Sequence, residues 1–218
     1  MRVVIAGGHG QIALILERLL SERGDSVAGL IRNPDQVGDL AAAGADALVV
    51  DLEEASVDEV AGHLRGADAV VFAAGAGPGS GAARKDTVDR DAAILLADAA
   101  EAAGVERYVM VSAMAADPQA TADDEVFQVY LRAKGIADEA IRSRAGLKWT
   151  IVRPGALTND EADGNVLIAE STGRGSIPRE DVAAVLVAVL DEPRTAGKSF
   201  DLISGETAIA EAVAALAR

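Results

Sequence analysis

The chain has 218 residues, 50% of them hydrophobic and 25% charged, with a formal net charge of -15 and no cysteine. That length and apolar content suit one domain with a large core and no disulfide or zinc-thiolate site, while the acidity argues against nucleic acid and anionic membrane surfaces as partners, since binding either relies on clustered Lys and Arg. Two histidines, His9 and His63, are too few for a metal cluster, so no metal is expected.

The chain enters a strand at once, RVVIA at 2–6, with no basic leader, long apolar run or small-residue cleavage site; a cytoplasmic, unexported protein is expected. Three glycines follow, Gly7, Gly8 and Gly10, and then a helical pattern that starts near Gly10 and ends at Gly24. Ile12, Ile15, Leu16, Leu19 and Leu20 share its apolar face, and Glu17, Arg18, Glu22 and Arg23 are assigned to the solvent side. SVAGLI (26–31) is the second strand. Asn33, Pro34 and Gln36 then supply a cap, a first-turn proline and a capping-box partner for the second helix, and Ser56 with Glu59 does the same for the third.

The remaining strand candidates are ADALVV (45–50), ADAVVFA (67–73), RYVMVS (107–112), KWTIVR (148–153) and KSFDLI (198–203). About seven strands alternating with helices predict an α/β Rossmann fold, a doubly wound, mostly parallel sheet with helices on both faces, in one domain over 1–218. The Gly-rich stretch 73–81 reads as a loop after the fourth strand. Two longer segments, 113–124 and 154–178, read as loops at the carboxyl edge of the sheet, where open α/β folds bind ligands.

Gly7, Gly10 and Ala13 form G-x-x-G-x-x-A between strand and helix, so backbone N–H groups and the positive helix end can face a pyrophosphate closely. The expected coenzyme-binding positions are Gly7, Gly10, Gln11 and Ile12 at this turn, Arg32 after the second strand, Asp51 and Leu52 after the third, and Ala73, Ala74 and Gly75 after the fourth. An acidic side chain, usual in NAD sites at the end of the second strand, is replaced by Arg32, whose guanidinium suits a 2'-phosphate; NADP(H) is therefore expected over NAD(H), the alternative being a solvated arginine. Asp51 is positioned to accept from the adenine amino group or to remain an exposed loop carboxylate.

The segments GGHGQIA (7–13), VVDLEE (49–54), VDRDAAILLADAAEAAGVERYVMVS (88–112), YLRAK (130–134), TIVRPGALT (150–158) and IPREDVA (177–183) together resemble the atypical branch of the short-chain dehydrogenase/reductase superfamily, the NAD(P)-binding and NmrA-like proteins with an extended-type glycine motif. The resemblance covers nearly the whole chain. It implies that Tyr130 and Lys134 are the Y-x-x-x-K pair, that Ser112 is the serine that binds the substrate oxygen, and that Asp89 occupies the position usually held by Asn. It also implies that Lys134 holds the nicotinamide ribose and that Pro154, in Arg153-Pro154-Gly155, runs beside the nicotinamide. Spacing of four sets Tyr130 and Lys134 on one helical face, where an ammonium would favour phenolate, and an ionised Asp89 would counter part of that effect. Ser112 alternatively caps a turn, and Tyr130 and Lys134 alternatively form an exposed helix pair.

The implied activity is an NADPH-dependent reductase passing hydride to a small carbonyl, quinone or flavin-like acceptor. The rival is a non-catalytic NADP(H) sensor with a protein partner. An epimerase or dehydratase is disfavoured because few residues follow the sixth strand to build a substrate domain.

Overall fold

Neighbouring residues of the central strands point to two different helical layers, so these strands are buried on both faces and read as continuous apolar runs. The structure, a computed structural model, describes residues 1–77, 79–121 and 126–217. In chain order it contains β1 (Arg2–Ala6), α1 (Gln11–Glu22), β2 (Ser26–Ile31), α2 (Val37–Ala42), β3 (Asp46–Val49), α3 (Val57–Leu64), β4 (Ala69–Phe72) and α4 (Ala82–Arg84). A π-helical stretch, Lys85–Asp91, joins α4 to α5 (Ala92–Ala103), followed by β5 (Arg107–Val111), α6 (Val126–Arg142), β6 (Lys148–Pro154), β7 (Ala156–Thr158) and β8 (Asn165–Ala169). The chain then forms β9 (Ser176–Pro178), α7 (Arg179–Asp191), β10 (Lys198–Ser204), β11 (Thr207–Ala208) and α8 (Ile209–Leu216).

The main sheet has nine strands in the order β11-β8-β10-β6-β5-β4-β1-β2-β3, and β7 pairs with β9 separately. From β10 to β3 every pairing is parallel, while β8 runs antiparallel to β10 and β11 antiparallel to β8. The strand order reverses direction at β1 and β4, which makes the carboxyl ends of these two strands the topological switch point of a Rossmann fold. On one face Val3, Ile5 and Val71 pack with Leu16 and Leu20 of α1 and with Val182 and Leu186 of α7. On the other, Val4, Val70 and Phe72 meet Leu64 of α3, Leu96 of α5 and Ile141 of α6. Among the described residues no helix is long and apolar enough to cross a membrane.

Three expectations need correction. The sheet has nine strands, and the segment 154–178 holds β7, β8 and β9 where a loop was expected. Val166-Leu167-Ile168 is the strand signal there, but Gly164 (φ 73°) and Gly173 (φ 75°) flank it and make the segment read as loop, and the three-residue strands carry too little periodicity to register. Asn33 does cap the next turn, accepting from the Asp35 N–H at 3.0 Å, yet that turn is a 3-10 turn and α2 starts only at Val37. Glu17 is not on the solvent side of α1. It is fully buried with both carboxylate oxygens unpartnered, and burial pushes its pKa up to about 8. It lies one turn from both Ala13 and Leu20 and fills the slot left by two glycines: a Cβ on Gly8 would come 2.8 Å from the Gly29 backbone. The Ser56 cap holds as read, its Oγ accepting from the Glu59 N–H at 3.2 Å. In the 113–124 segment, residues 122–124 lie outside the described residues, as does Pro78 of the Gly-rich stretch.

Candidate active site

A cleft of about 300 Å³ opens at the switch point, floored by the turn after β1 and walled by the chain leaving β2, β3 and β4. The turn is built so that backbone, not side chain, faces the cleft. Gly7 sits at φ 80°, and a Cβ there would fall 2.6 Å from Ala74 Cα. The Gly10 N–H donates to Gly7 O at 2.8 Å, closing the bend, and a Cβ on Gly10 would press to 3.1 Å from that same oxygen. Gly10 is also the N-cap of α1, with no side-chain hydrogen bond and no acidic residue in the first turn. The first N–H groups of α1 are thus left without a capping side chain, and no carboxylate cancels the positive end of the helix, which is what an anion site at a helix N-terminus requires. These residues fit the diphosphate of a dinucleotide.

Of the expected coenzyme positions, Gly7, Gly10, Arg32, Asp51, Leu52, Ala73, Ala74 and Gly75 line this cleft. Gln11 and Ile12 begin α1 beside it. Lys134 and Pro154 do not line it; Pro154 ends β6, and its carbonyl accepts from the Met114 N–H at 3.0 Å. One Asp51 oxygen is occupied locally, accepting from the Glu53 N–H at 3.0 Å. Lining residues that were not foreseen include Gln36, Glu53, Arg84 and Val88. Glu53 carries the most chemistry. Its Oε2 accepts from Arg32 Nη1 and from Arg84 Nη2, both at 2.8 Å, and its Oε1 accepts from Thr87 Oγ1 at 2.6 Å. The Arg84 hydrogen bond first, then that of Thr87, holds the Glu53 carboxyl below the usual glutamate range. Glu53 stands two residues after Asp51 and was visible as a carboxylate, but Arg84 follows a Gly-rich loop with no pattern to place it. His9 pairs with Asp39, Nε2 to Oδ2 at 2.7 Å, at the rim.

The other expected residues gather at the carboxyl ends of β4 and β5. Helix α6 presents Tyr130, Lys134 and Asp138 at spacings of four, on one face. Lys134 is buried; its Nζ donates to Val111 O at 3.2 Å and Ala74 O at 3.4 Å and lies 3.4 Å from Asp89 Oδ1. Asp89, fully buried in the π-helical stretch, also accepts from the Ala76 N–H at 3.2 Å, so it ties the loop after β4 to the lysine. Lys85 of the same stretch donates to Gly77 O at 2.9 Å and stands 5.3 Å from the Tyr130 ring centroid, a cation over a π face.

Burial raises the Tyr130 pKa, and the negative charges of Asp89 and Asp138 raise it further. The net shift therefore runs opposite to the phenolate-favouring effect expected from Lys134 alone, because burial of the phenol first, and then the two carboxylates, disfavour the phenolate. Ser112 follows β5, held by its N–H to Val152 O at 2.8 Å, and its buried Oγ faces Asp138 without a hydrogen bond of good geometry. Asp138 is fully buried and bound by Arg153, whose Nε and Nη2 reach Oδ2 at 2.8 and 2.6 Å; its other oxygen is unpartnered. Burial raises the Asp138 pKa, and the Arg153 charge opposes that shift. Ala115, three residues after Ser112, takes φ 63°, a conformation costly for a non-glycine residue. Asp181 lies in the first turn of α7, and its Oδ1 accepts from the Gly164 N–H at 3.0 Å, which anchors the start of β8.

The comparisons with known proteins agree with this geometry. Residues 7–193 match the NAD(P)H-binding family. The chain is 39% identical over 214 residues to YhfK of Bacillus subtilis, an uncharacterised protein named as a sugar epimerase, with 98% of this chain and 99% of that one covered. Among solved structures, a provisionally named NAD-dependent epimerase/dehydratase from Bacillus halodurans superposes with a TM-score of 0.90 at 37% identity, covering 99% of each chain. The oxidoreductase ylbE of Lactococcus lactis gives a TM-score of 0.86 at 29% identity, covering 99% of this chain and 96% of that one. With its glycine turn at the switch point and this extent of similarity, the chain belongs to the NAD(P)H-binding family, in the atypical branch of the short-chain dehydrogenase/reductase superfamily.

Proposed function

We propose that the protein is an NADP(H)-dependent oxidoreductase that works as a reductase on a small carbonyl, quinone or flavin-like acceptor. When bound, the nicotinamide supplies hydride. The chain's own residues do the rest: the N–H groups of the glycine turn and the first turn of α1 hold the diphosphate, and Arg32 takes the 2'-phosphate. Ser112 Oγ donates to the substrate oxygen, and the Tyr130 hydroxyl delivers a proton to the alkoxide that forms there. Lys134 holds the ribose and compensates the charge of Asp89.

The observation that carries this reading is the Lys134–Asp89 pair at the ends of β4 and β5, with Tyr130 one turn before Lys134 on α6 and Ser112 directly after β5. The raised phenol pKa supports the direction: Tyr130 keeps its proton through the neutral range and starts as an acid. The test is a panel of aldehydes, quinones and flavins with NADPH. Turnover by the wild type that disappears in Tyr130→Phe supports the reading, and equal turnover in that variant removes Tyr130 from the mechanism.

A second reading, the NADP(H) sensor, draws on one observation. The Lys134 ammonium is already engaged by Asp89 and two backbone carbonyls. A tight NADPH complex with no turnover across the panel would favour it.

A further inference from the structure

We propose that Arg84 is a second ligand for the coenzyme's 2'-phosphate, and that Glu53 is an internal anion which occupies the phosphate position between Arg32 and Arg84 until the phosphate displaces it. The proposal rests on the NADP(H) reading above and adds to it two residues and a competition. Its basis is geometric. One carboxylate oxygen, Glu53 Oε2, sits 2.8 Å from a guanidinium nitrogen on each of two arginines that approach from different elements, Arg32 after β2 and Arg84 at the end of α4. A third donor, Thr87 Oγ1, takes the other oxygen at 2.6 Å. Two guanidiniums and a hydroxyl converging on one small anion is the arrangement a phosphate monoester needs, and a guanidinium matches phosphate as well as carboxylate.

All three charged groups line the cleft. The arginines are exposed on the cleft side, Arg32 by 54% and Arg84 by 41%, whereas the Glu53 side chain is exposed by only 19%. The arginine donors are thus accessible to an incoming anion, while the carboxylate is the group enclosed by them. Partly exposed ion pairs contribute little net stability and exchange partners readily. A dianionic phosphate brings more charge than the carboxylate it replaces, and two anions cannot share the point where Oε2 now lies. A coenzyme without the phosphate leaves the Arg32–Glu53–Arg84 set intact. In a chain of net charge -15, such a pair of arginines held ready by a removable carboxylate gives the cleft a local preference opposite to that of the whole surface.

The experiment is titration of the full-length wild type, Arg32→Ala, Arg84→Ala and Glu53→Gln with NADPH, NADH, adenosine 2',5'-bisphosphate and adenosine 5'-monophosphate, with a coenzyme-free thermal melt of each variant. We expect Arg84→Ala to weaken NADPH and the bisphosphate by about tenfold or more while NADH and the monophosphate change by less than about twofold, as for loss of one charge-assisted contact. Glu53→Gln, which keeps the shape and removes the charge, is expected to tighten NADPH and the bisphosphate by about threefold or more without tightening NADH. If Arg32→Ala loses the NADPH preference while Arg84→Ala and Glu53→Gln leave it unchanged, the competition is overturned and the NADP(H) reading stands. If the wild type shows no preference between the two coenzymes, both fall. Weakening of all four ligands by Glu53→Gln, with an unchanged melt, overturns the proposal by making Glu53 a ligand itself.

Discussion

The two ends of the stretch from Ala82 to Asp91 face different kinds of site. At its start, Arg84 borders an open cleft lined by the glycine turn and the partly exposed Arg32, and Thr87 reaches the Glu53 carboxylate at that cleft's wall. At its finish, Asp89 belongs to a closed cluster in which Lys134, Asp138 and Arg153 already answer one another's charges. The first region is ready for a ligand because glycines keep side chains out of the way. The second is held by side-chain pairs, so removing one member strands another in a poorly solvated place. Changes at the open end should therefore alter affinity and coenzyme choice, and changes at the closed end should alter turnover or stability.

The largest effect that would sharpen this contrast is expected at Tyr130. Loss of the phenolic proton donor in Tyr130→Phe should lower kcat by about 10²- to 10⁴-fold, with NADPH affinity within about threefold of wild type, measured by steady-state kinetics and calorimetry. Affinity falling in parallel would erase the distinction between the two regions. Next is Arg153→Met, which leaves the buried Asp138 with only Arg142, 3.7 Å away. Urea unfolding should show a loss of about 3 kcal/mol, the scale for breaking a buried ion pair from one side, and a loss within error of zero would mean that Asp138 is not held as an ion.

A third change probes the packing under the glycine turn. The native pKa of Glu17 is raised to about 8 from an ordinary 4.5, so the stability tied to its protonated form is complete below about pH 4.5 and is lost as pH rises to about 8. The loss should be on the order of a few kcal/mol. Glu17→Gln should remove this pH dependence, making the variant the more stable protein at pH 9; parallel stability curves for the two proteins from pH 5 to 9 would contradict the burial of a charged-when-unfolded group. The smallest expected effect is Arg32→Ala, a selective weakening toward NADPH over NADH of about 1 to 3 kcal/mol, read by paired titrations. An unchanged ratio would break the assignment of the 2'-phosphate to this end of the cleft.

Much of the fold was legible because the signals were local. The strand from Arg2 to Ala6, the three glycines and the apolar face of α1 follow from periodicity and the demand of a tight turn, and Ser56 with Glu59 marks a helix start by its own hydrogen bond. What escaped depends on tertiary neighbours. Glu17 is buried because Gly8 and Gly29, nine and twelve positions away in sequence, leave it a slot. Arg84 reaches Glu53 across 31 positions of sequence, and Asp138 meets Arg153 across a helix and a strand. No spacing rule brings such partners together. The strands β7, β8 and β9 were hidden by the glycines that turn the chain between them.

The central claim is that the backbone bend from Gly7 to Gly10 seats the diphosphate of a nicotinamide coenzyme at the switch point of the sheet. Its most direct test is calorimetric titration of the purified protein with NADPH and NADH, repeated on Gly7→Val. The account predicts saturable binding to the wild type, tighter for NADPH, and its loss in a variant whose side chain would strike Ala74. No heat and no thermal protection with either coenzyme at millimolar concentration, or undiminished binding to Gly7→Val, would contradict it.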